Sequence, residues 1–285
     1  MSNTMKRLYP DAYKTIETYR MEALQRVVLG GLPNENRVRS EIKKILTDTA
    51  KNRFVYRIEI SGWEQSNMDG IRRAEASTVM LWDGVLIETD NTGAIIRIIN
   101  QNEIAEKWYR MRPQVEKNLT FLENKAEVLA SIDNLCIAPE ELKTVFEESD
   151  MGTLLFPPMY NCLEKPGDSI EQHKSYHDFF GKVSLPIRII TTLKRWDILK
   201  DKVTIIREGQ LDEPIFDHRE MARHFKVLAD DLSIKAGKPI LRYVETFDLD
   251  GYRWITHSGL VFSVEIPNLF HYEKILRLTH LPKGE

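Results

Sequence analysis

Phe54-Val55-Tyr56-Arg57-Ile58-Glu59-Ile60 is the stretch on which the reading of this chain turns. Phe, Tyr, Ile and Ile fall on one side of an extended backbone and Val, Arg and Glu on the other, the period of two expected of a half-buried strand. Upstream of it the apolar spacing is nearer 3.6. Ala12, Ile16, Tyr19, Ala23 and Val27 recur at i+3/i+4 after Pro10-Asp11, and Gly30-Gly31 with Pro33 end the run, which predicts a first helix. Val38, Ile42, Ile45, Leu46 and Thr49, ringed by Arg37, Arg39, Lys43 and Lys44, predict a second, amphipathic helix starting near Asn34.

Downstream the short period continues. Residues 77–82 and 85–89 read as strands around Asp83-Gly84, a pair that marks either a two-residue hairpin or a glycine bulge. Asp90-Asn91-Thr92-Gly93 is a second turn, followed by a strand over 94–99. Connections this short require an antiparallel meander. The middle is helical: Ile104, Trp108, Met111 and Val115 share a stripe interrupted by Pro113, and Pro139 suits the first turn of a later helix. Residues 166–182 are polar and read as loop. Residues 185–198 and 202–208 read as a hairpin, 214–232 as a helix with Met221, Phe225, Leu228 and Leu232 on its seam, 240–249 and 272–281 as strands, and 252–266 as one long strand or a hairpin at Ser258-Gly259.

These elements predict an α+β fold of two helix-plus-antiparallel-sheet lobes. The lobes span residues 1–100 and 166–285 and are joined by a helical connector over 101–165. Residues 34–100 and 217–281 run through the same order of elements, which suggests either an internal duplication or two unrelated units of one kind.

Composition removes several function classes. The 285 residues are 42% hydrophobic and 29% charged, and 40 Lys+Arg against 43 Asp+Glu leave a net charge of −3, which argues against an electrostatically driven nucleic-acid binder. The basic run Lys194-Arg195-Trp196 followed by Lys200 and Lys202 reads instead as an exposed hairpin. Two cysteines, Cys136 and Cys162, fit a reduced, cytoplasmic setting better than a disulfide scaffold. No window approaches the about 18–20 apolar residues of a membrane span.

Phosphate loops, dinucleotide fingerprints, nucleophile elbows, H-E-x-x-H and C-x-x-C are all missing from the sequence, so no catalytic constellation and no cofactor is expected. His173 and His177 stand at i, i+4, which on a helix would place two imidazoles on one face for a metal; otherwise they belong to a polar surface segment. Asp248-Leu249-Asp250-Gly251 holds a fragment of a calcium loop, but Gly259 stands where its terminal Glu is required, so it reads as a hairpin turn. Leu155, Phe156, Pro157, Pro158, Met159 and Tyr160 form an apolar stretch that its prolines keep out of helix and central strand. It serves either as a core-packing linker or as a docking ledge for a peptide or an apolar ligand.

The run Asp90-Asn91-Thr92-Gly93-Ala94-Ile95-Ile96-Arg97-Ile98-Ile99-Asn100, then Glu103-Ile104 and Lys107-Trp108, then Leu155 to Tyr160, resembles a group of uncharacterised, soluble, two-lobed bacterial proteins. The likeness covers about residues 75–165 and its motifs are structural. It implies a link to interbacterial secretion and carries no catalytic residue with it. Three functions follow as expectations. The first is a non-enzymatic protein-binding adaptor. The second is a carrier of an apolar ligand between curved sheet and helix, lined by Trp82, Trp254, Phe262 and Tyr160. The third is a metal-assisted enzyme using His173 and His177.

Overall fold

A computed structural model describes residues 15–50, 52–67, 70–197, 199–231 and 237–282. The expected helix opening at Pro10-Asp11 and Ala12, and the element ends at Ile198 and Leu232, lie outside them. The strands are β1 (Ile16–Leu29), β2 (Leu32–Ala50), β3 (Arg53–Gln65), β4 (Leu86–Thr89), β5 (Ile95–Ile98), β6 (Ser169–Phe180), β7 (Val183–Asp197), β8 (Lys202–Leu211), β9 (Ile240–Leu249), β10 (Ile255–Ile266) and β11 (Phe270–Leu281). They form a single sheet in the order β5-β4-β3-β2-β1-β11-β10-β9-β8-β7-β6, and the pairs from β2 to β5 and from β6 to β10 run antiparallel.

This corrects the expected two helix-plus-sheet lobes. The two N-terminal helices are strands. On β2, Ser40, Ile42, Lys44 and Leu46 are all buried, a strict alternation. Two of those four positions are polar, so counting only apolar residues conceals the period of two and leaves a residue set that also satisfies 3.6. Glu17 has the same effect beside Tyr19 and Met21 on β1. The equivalence of 34–100 with 217–281 needed a helix at Asn34, and β2 occupies that place.

Two further elements differ. The strand expected over 77–82 is the end of α1 (Gly70–Val79) and a 3-10 turn over Met80–Trp82. Asp83-Gly84 is therefore not a hairpin tip: Gly84 N–H donates to Ile58 O at 2.6 Å, two residues ahead of β4. The polar stretch expected as loop is β6, whose inward residues Gln172, Lys174 and Tyr176 show no hydrophobic alternation.

Two compact units divide the chain. The first, here unit 1, holds Ala23–Asn36 and Cys162–Arg277. In it the short helices α6 (His218–His224) and α7 (Lys226–Asp231) accompany β6 to β10 and most of β11. The other, unit 2, holds residues 15–22, Arg37–Asn161 and 278–282 of the described chain. It carries α1 and the longer helices α2 (Gln101–Asn118), α3 (Lys125–Ile137), α4 (Pro139–Glu148) and α5 (Asp150–Leu155).

The core of unit 2 is aromatic: Trp108 and Phe146 are wholly buried, and Trp82 sits edge-on to Phe146 with centroids 5.1 Å apart. Trp108 Nε1 donates to Asp133 Oδ1 at 2.7 Å, so the indole's polar end is satisfied. The 90–93 turn is closed from within by Asp90 Oδ1, which accepts from Thr92 N and Ala94 N. It is closed from outside by Tyr160, whose ring fills the space where a Gly93 Cβ would stand, 2.7 Å away.

Candidate functional site

Residues 155–160 lie inside unit 2. Leu155, Phe156, Met159 and Tyr160 are buried, as is Pro157, while Pro158 is half-buried. They are placed by two anchors. Tyr160 N–H donates to Thr92 O at 2.9 Å, and Lys44 Nζ donates to Leu155 O at 2.6 Å. The Lys44 ammonium also stands 4.4 Å from the Tyr56 ring centroid and 4.1 Å from that of Phe156. Burial lowers the pKa of this amine to about 7. Trp82 packs in the same unit. Trp254 is buried in unit 1, its backbone N–H donating to Asp250 Oδ1 in the β9–β10 turn. None of these side chains forms an open ledge on its unit.

His173 and His177 stand on β6, where i, i+4 spacing separates two side chains by about 13 Å along the strand. His173 Nδ1 meets Asp212 Oδ2 at 3.0 Å, and both histidines are exposed. Among the described residues no group of three or more His, Cys, Asp and Glu is arranged to hold a metal. Cys136 and Cys162 form no disulfide, and burial pushes the Cys136 thiol up to about 11.

Sequence reasoning missed the most chemically distinctive cluster, on one face of β6 to β11 in unit 1. In-register pairing sets it out: Thr191 on β7 faces Arg207 on β8, which faces Glu245 on β9. Arg207 Nη1 bonds Glu245 Oε2, Nη2 donates to Gln172 Oε1 at 3.1 Å, and Nε donates to Thr191 Oγ1 at 3.3 Å. Tyr243 Oη donates to the other Glu245 oxygen. Glu245 is fully buried and Arg207 nearly so. Burial, then the adjacent Glu245 carboxylate, raises the Tyr243 phenol well above its ordinary value, so it remains a donor.

One residue pair along lies an aromatic row. Gly209 faces Tyr243, which faces Phe262 on β10. A Cβ at Gly209 would stand 2.7 Å from Ile187 Cγ2 and 2.9 Å from Tyr243 Cβ, so glycine is what admits the Tyr243 ring.

This face is concave. Tyr176 on β6 stacks on Phe262 at 4.8 Å although three strands separate β6 from β10 in the sheet order. Phe179 meets Phe262 at 5.6 Å and Tyr272 on β11 at 5.1 Å. The sheet therefore curls until its terminal strand β6 closes on β10 and β11 through rings rather than through strand pairing. Tyr176, Phe179 and Tyr272, each half-buried, form an aromatic mouth over the buried Phe262, with the half-buried Phe270 packed against Phe179 at 6.3 Å. A surface recess of about 230 Å³ on unit 1 is lined by residues including Lys182, Ile215 and Asp217; it is smaller than the roughly 300–1,000 Å³ of ordinary ligand pockets.

The signal that could have found the cluster is an alternation of apolar and polar at the same parity. Gln172, Lys174 and Tyr176 on β6, and Tyr243, Glu245 and Phe247 on β9, each place a polar residue on a buried face.

No protein-family model and no curated protein matches this sequence. Among solved structures, one described as lipid-protein interactions in lipovitellin aligns with 95% of this chain at 10% identity, with a TM-score of 0.43. The present chain spans about a quarter, 26%, of that lipovitellin chain. A DUF1329 family protein from Desulfovibrio piger aligns over 94% of this chain and 85% of its own at 9% identity, with a TM-score of 0.17. A porin-like protein from Bacteroides uniformis aligns over 96% and 99% at 6% identity, with a TM-score of 0.17. At these scores the likenesses carry no functional argument. Among the described residues no helix is long and apolar enough to cross a membrane, which says nothing of strands.

Proposed function

We propose that unit 1 binds a single-chain amphiphile within its curled sheet, as a carrier rather than an enzyme. The observation that carries this reading is the aromatic mouth. Three half-buried rings, Tyr176, Phe179 and Tyr272, cover Phe262, and Phe270 packs against Phe179 beside them, on a concave face whose next row holds a buried ion pair. Binding sites for such ligands are mostly apolar and aromatic, with a few placed polar groups that orient one end. Because β6 is a terminal strand, displacing its rings would break no sheet ladder on the β10 side, and would open an entrance between β6 and β10.

This places the ligand in unit 1 and, of the aromatic lining expected from the sequence, retains Phe262. Recruitment of a protein by strand addition is less well served. The outward face of the terminal strand β6 carries Glu171, His173 and His177, side chains that discourage edge pairing, and β5 at the other end has only four residues.

The test is uptake by the full chain of palmitate and of uncharged monopalmitin, each below its critical micelle concentration, followed by native mass spectrometry. A one-to-one complex that Phe179→Asp weakens at least tenfold is expected. No complex with either compound overturns the proposal.

A further inference from the structure

We infer that the β1–β2 and β10–β11 turns of unit 1 dock on the surface of a lipid bilayer of no net charge. This extends the amphiphile reading above, which supplies the reason for docking; the surface itself is read from the two turns.

Residues 27–34, Val-Val-Leu-Gly-Gly-Leu-Pro-Asn, hold no formal charge in a chain that is 29% charged. β1 and β2 are joined there by Gly30 and Gly31 alone, whose φ angles are 54° and 83°. A two-residue loop of this kind needs positive φ at both positions, which glycine supplies without strain. It also makes the residues on either side a facing pair, so Leu29 and Leu32 project from one face of the ribbon. They are 48% and 78% exposed, and Pro33 is exposed beside them. A Cβ on Gly31 would meet nothing within 4 Å among the described residues outside its chain neighbours, so the tip reaches into open space.

The tip is continuous with the aromatic mouth. Gly30 N–H donates to Leu269 O at 3.0 Å, which ties it to the β10–β11 turn, and residues 266–270 of that turn are likewise uncharged. Phe270, next in the chain, packs on Phe179 at 6.3 Å and on Phe180 at 5.5 Å. Val28, Gly31, Leu269 and Phe270 contribute to the walls of one recess of about 150 Å³.

What surrounds this apolar tip decides its partner. Arg26, Glu35 and Glu265, charges of both signs, are exposed just beyond the uncharged stretches. An apolar tip with a mixed-charge collar matches acyl chains beneath a zwitterionic headgroup layer. A protein partner is less well matched, because a stable interface takes about 20–30 residues a side and the tip presents a few. The far end of the same strands is built otherwise: at the β7–β8 turn the exposed Leu199 is flanked by Lys194, Arg195, Lys200 and Lys202. Docking through residues 27–34 sets the Phe270 side of the mouth against the bilayer. An amphiphile then passes between the acyl layer and the concave face with little of its chain in water.

Flotation of the full chain with phosphatidylcholine vesicles, at low salt and at about 1 M NaCl, tests this. Binding is expected at both, with partitioning changed less than about threefold by salt. A Leu29→Ser/Leu32→Ser variant with a native-like thermal transition should lose at least tenfold, and Leu199→Ser should stay within about twofold of the parent. In the parent protein itself, vesicles should slow amide hydrogen exchange over residues 27–34 and leave residues 197–202 unchanged. Absence of binding, binding that requires anionic lipid and vanishes in salt, or slowing at 197–202 in place of 27–34 overturns the inference. So does full binding by the folded double variant, or a dimer that this variant dissociates, which would assign the tip to a second copy of the chain. The carrier reading is judged separately by native mass spectrometry. Tip-dependent vesicle binding with no palmitate or monopalmitin complex leaves docking standing and removes the carrier; a complex without vesicle binding does the reverse.

Discussion

Lys44 in unit 2 and Arg207 in unit 1 are both cations on the buried face of a strand, and their surroundings handle them differently. Lys44 has a backbone carbonyl, Leu155 O, and the faces of Tyr56 and Phe156. Arg207 has a carboxylate, a hydroxyl and an amide oxygen. Burial brings the Lys44 amine to about 7, so near neutral pH it can shed its proton and cease to be a buried charge. A guanidinium has no such escape in a protein, so its charge must be matched by placed partners. A lysine on a buried face can thus serve packing, whereas a buried arginine with a full set of acceptors marks a position where charge itself is retained.

The comparison breaks most visibly if Glu245 is removed. Glu245→Ala leaves Arg207 charged and without its counter-ion, and should cost about 3–5 kcal/mol by chemical denaturation. A loss below about 1 kcal/mol would show that the guanidinium finds water, and that the face is wetter than its burial implies.

Lys44 should instead show itself through pH. Its folded pKa lies below the unfolded value, so between about pH 7 and 10.5 the unfolded chain binds the extra proton and stability rises with pH. The contribution is at most about 1.4 kcal/mol per pH unit in that window. It is absent below pH 7, where both states are protonated. Lys44→Met should flatten the slope between pH 7 and 9 relative to the parent; equal slopes in the two proteins would remove the premise that Lys44 titrates when buried.

Gly209→Ala sharpens the other side of the comparison, since a methyl group there presses on Ile187 and Tyr243 beside the ion pair. A loss of about 1–3 kcal/mol is expected from overpacking. A neutral or stabilising result would mean that the aromatic row has slack. The smallest effect belongs to His173→Ala. Its pairing with Asp212 is made by a side chain 63% exposed, so the change should stay within about 0.5 kcal/mol and leave metal content untouched. A larger loss would give His173 a role that the β6 geometry does not assign.

The legible part of this fold was the part where burial and hydrophobicity coincide. β3 read correctly because Phe54, Tyr56, Ile58 and Ile60 are both apolar and buried. The β7–β8 hairpin, β9 and the Asp250-Gly251 turn were legible for the same reason, along with the helices near Trp108 and Pro139. β2 and β6 were not. On both, a polar side chain takes an inward position: Ser40 and Lys44 on β2, Gln172 and Lys174 on β6. A reading that scores apolar residues alone sees a broken alternation there and substitutes a helix or a loop. The candidate site shares that cause. Arg207 and Glu245 are ordinary strand residues by spacing, and only the register across β7, β8 and β9 brings them together. The Pro-Pro segment was conspicuous for its composition, yet its prolines and rings serve the interior of unit 2.

The closure of the 90–93 turn by Tyr160 and Asn161 bears on how unit 2 comes into being. Asn161 Nδ2 donates to Asn91 O across a sequence separation of 70 residues. While the chain emerges from a ribosome, β4 and β5 can pair as soon as they are made, but their turn stays unsealed until four further helices have been synthesised. Such distant closure raises contact order and slows the final assembly step. During that interval the Gly93 backbone stays open to premature association. A nascent-chain truncation just before Met159 would hold the unit in that unfinished state.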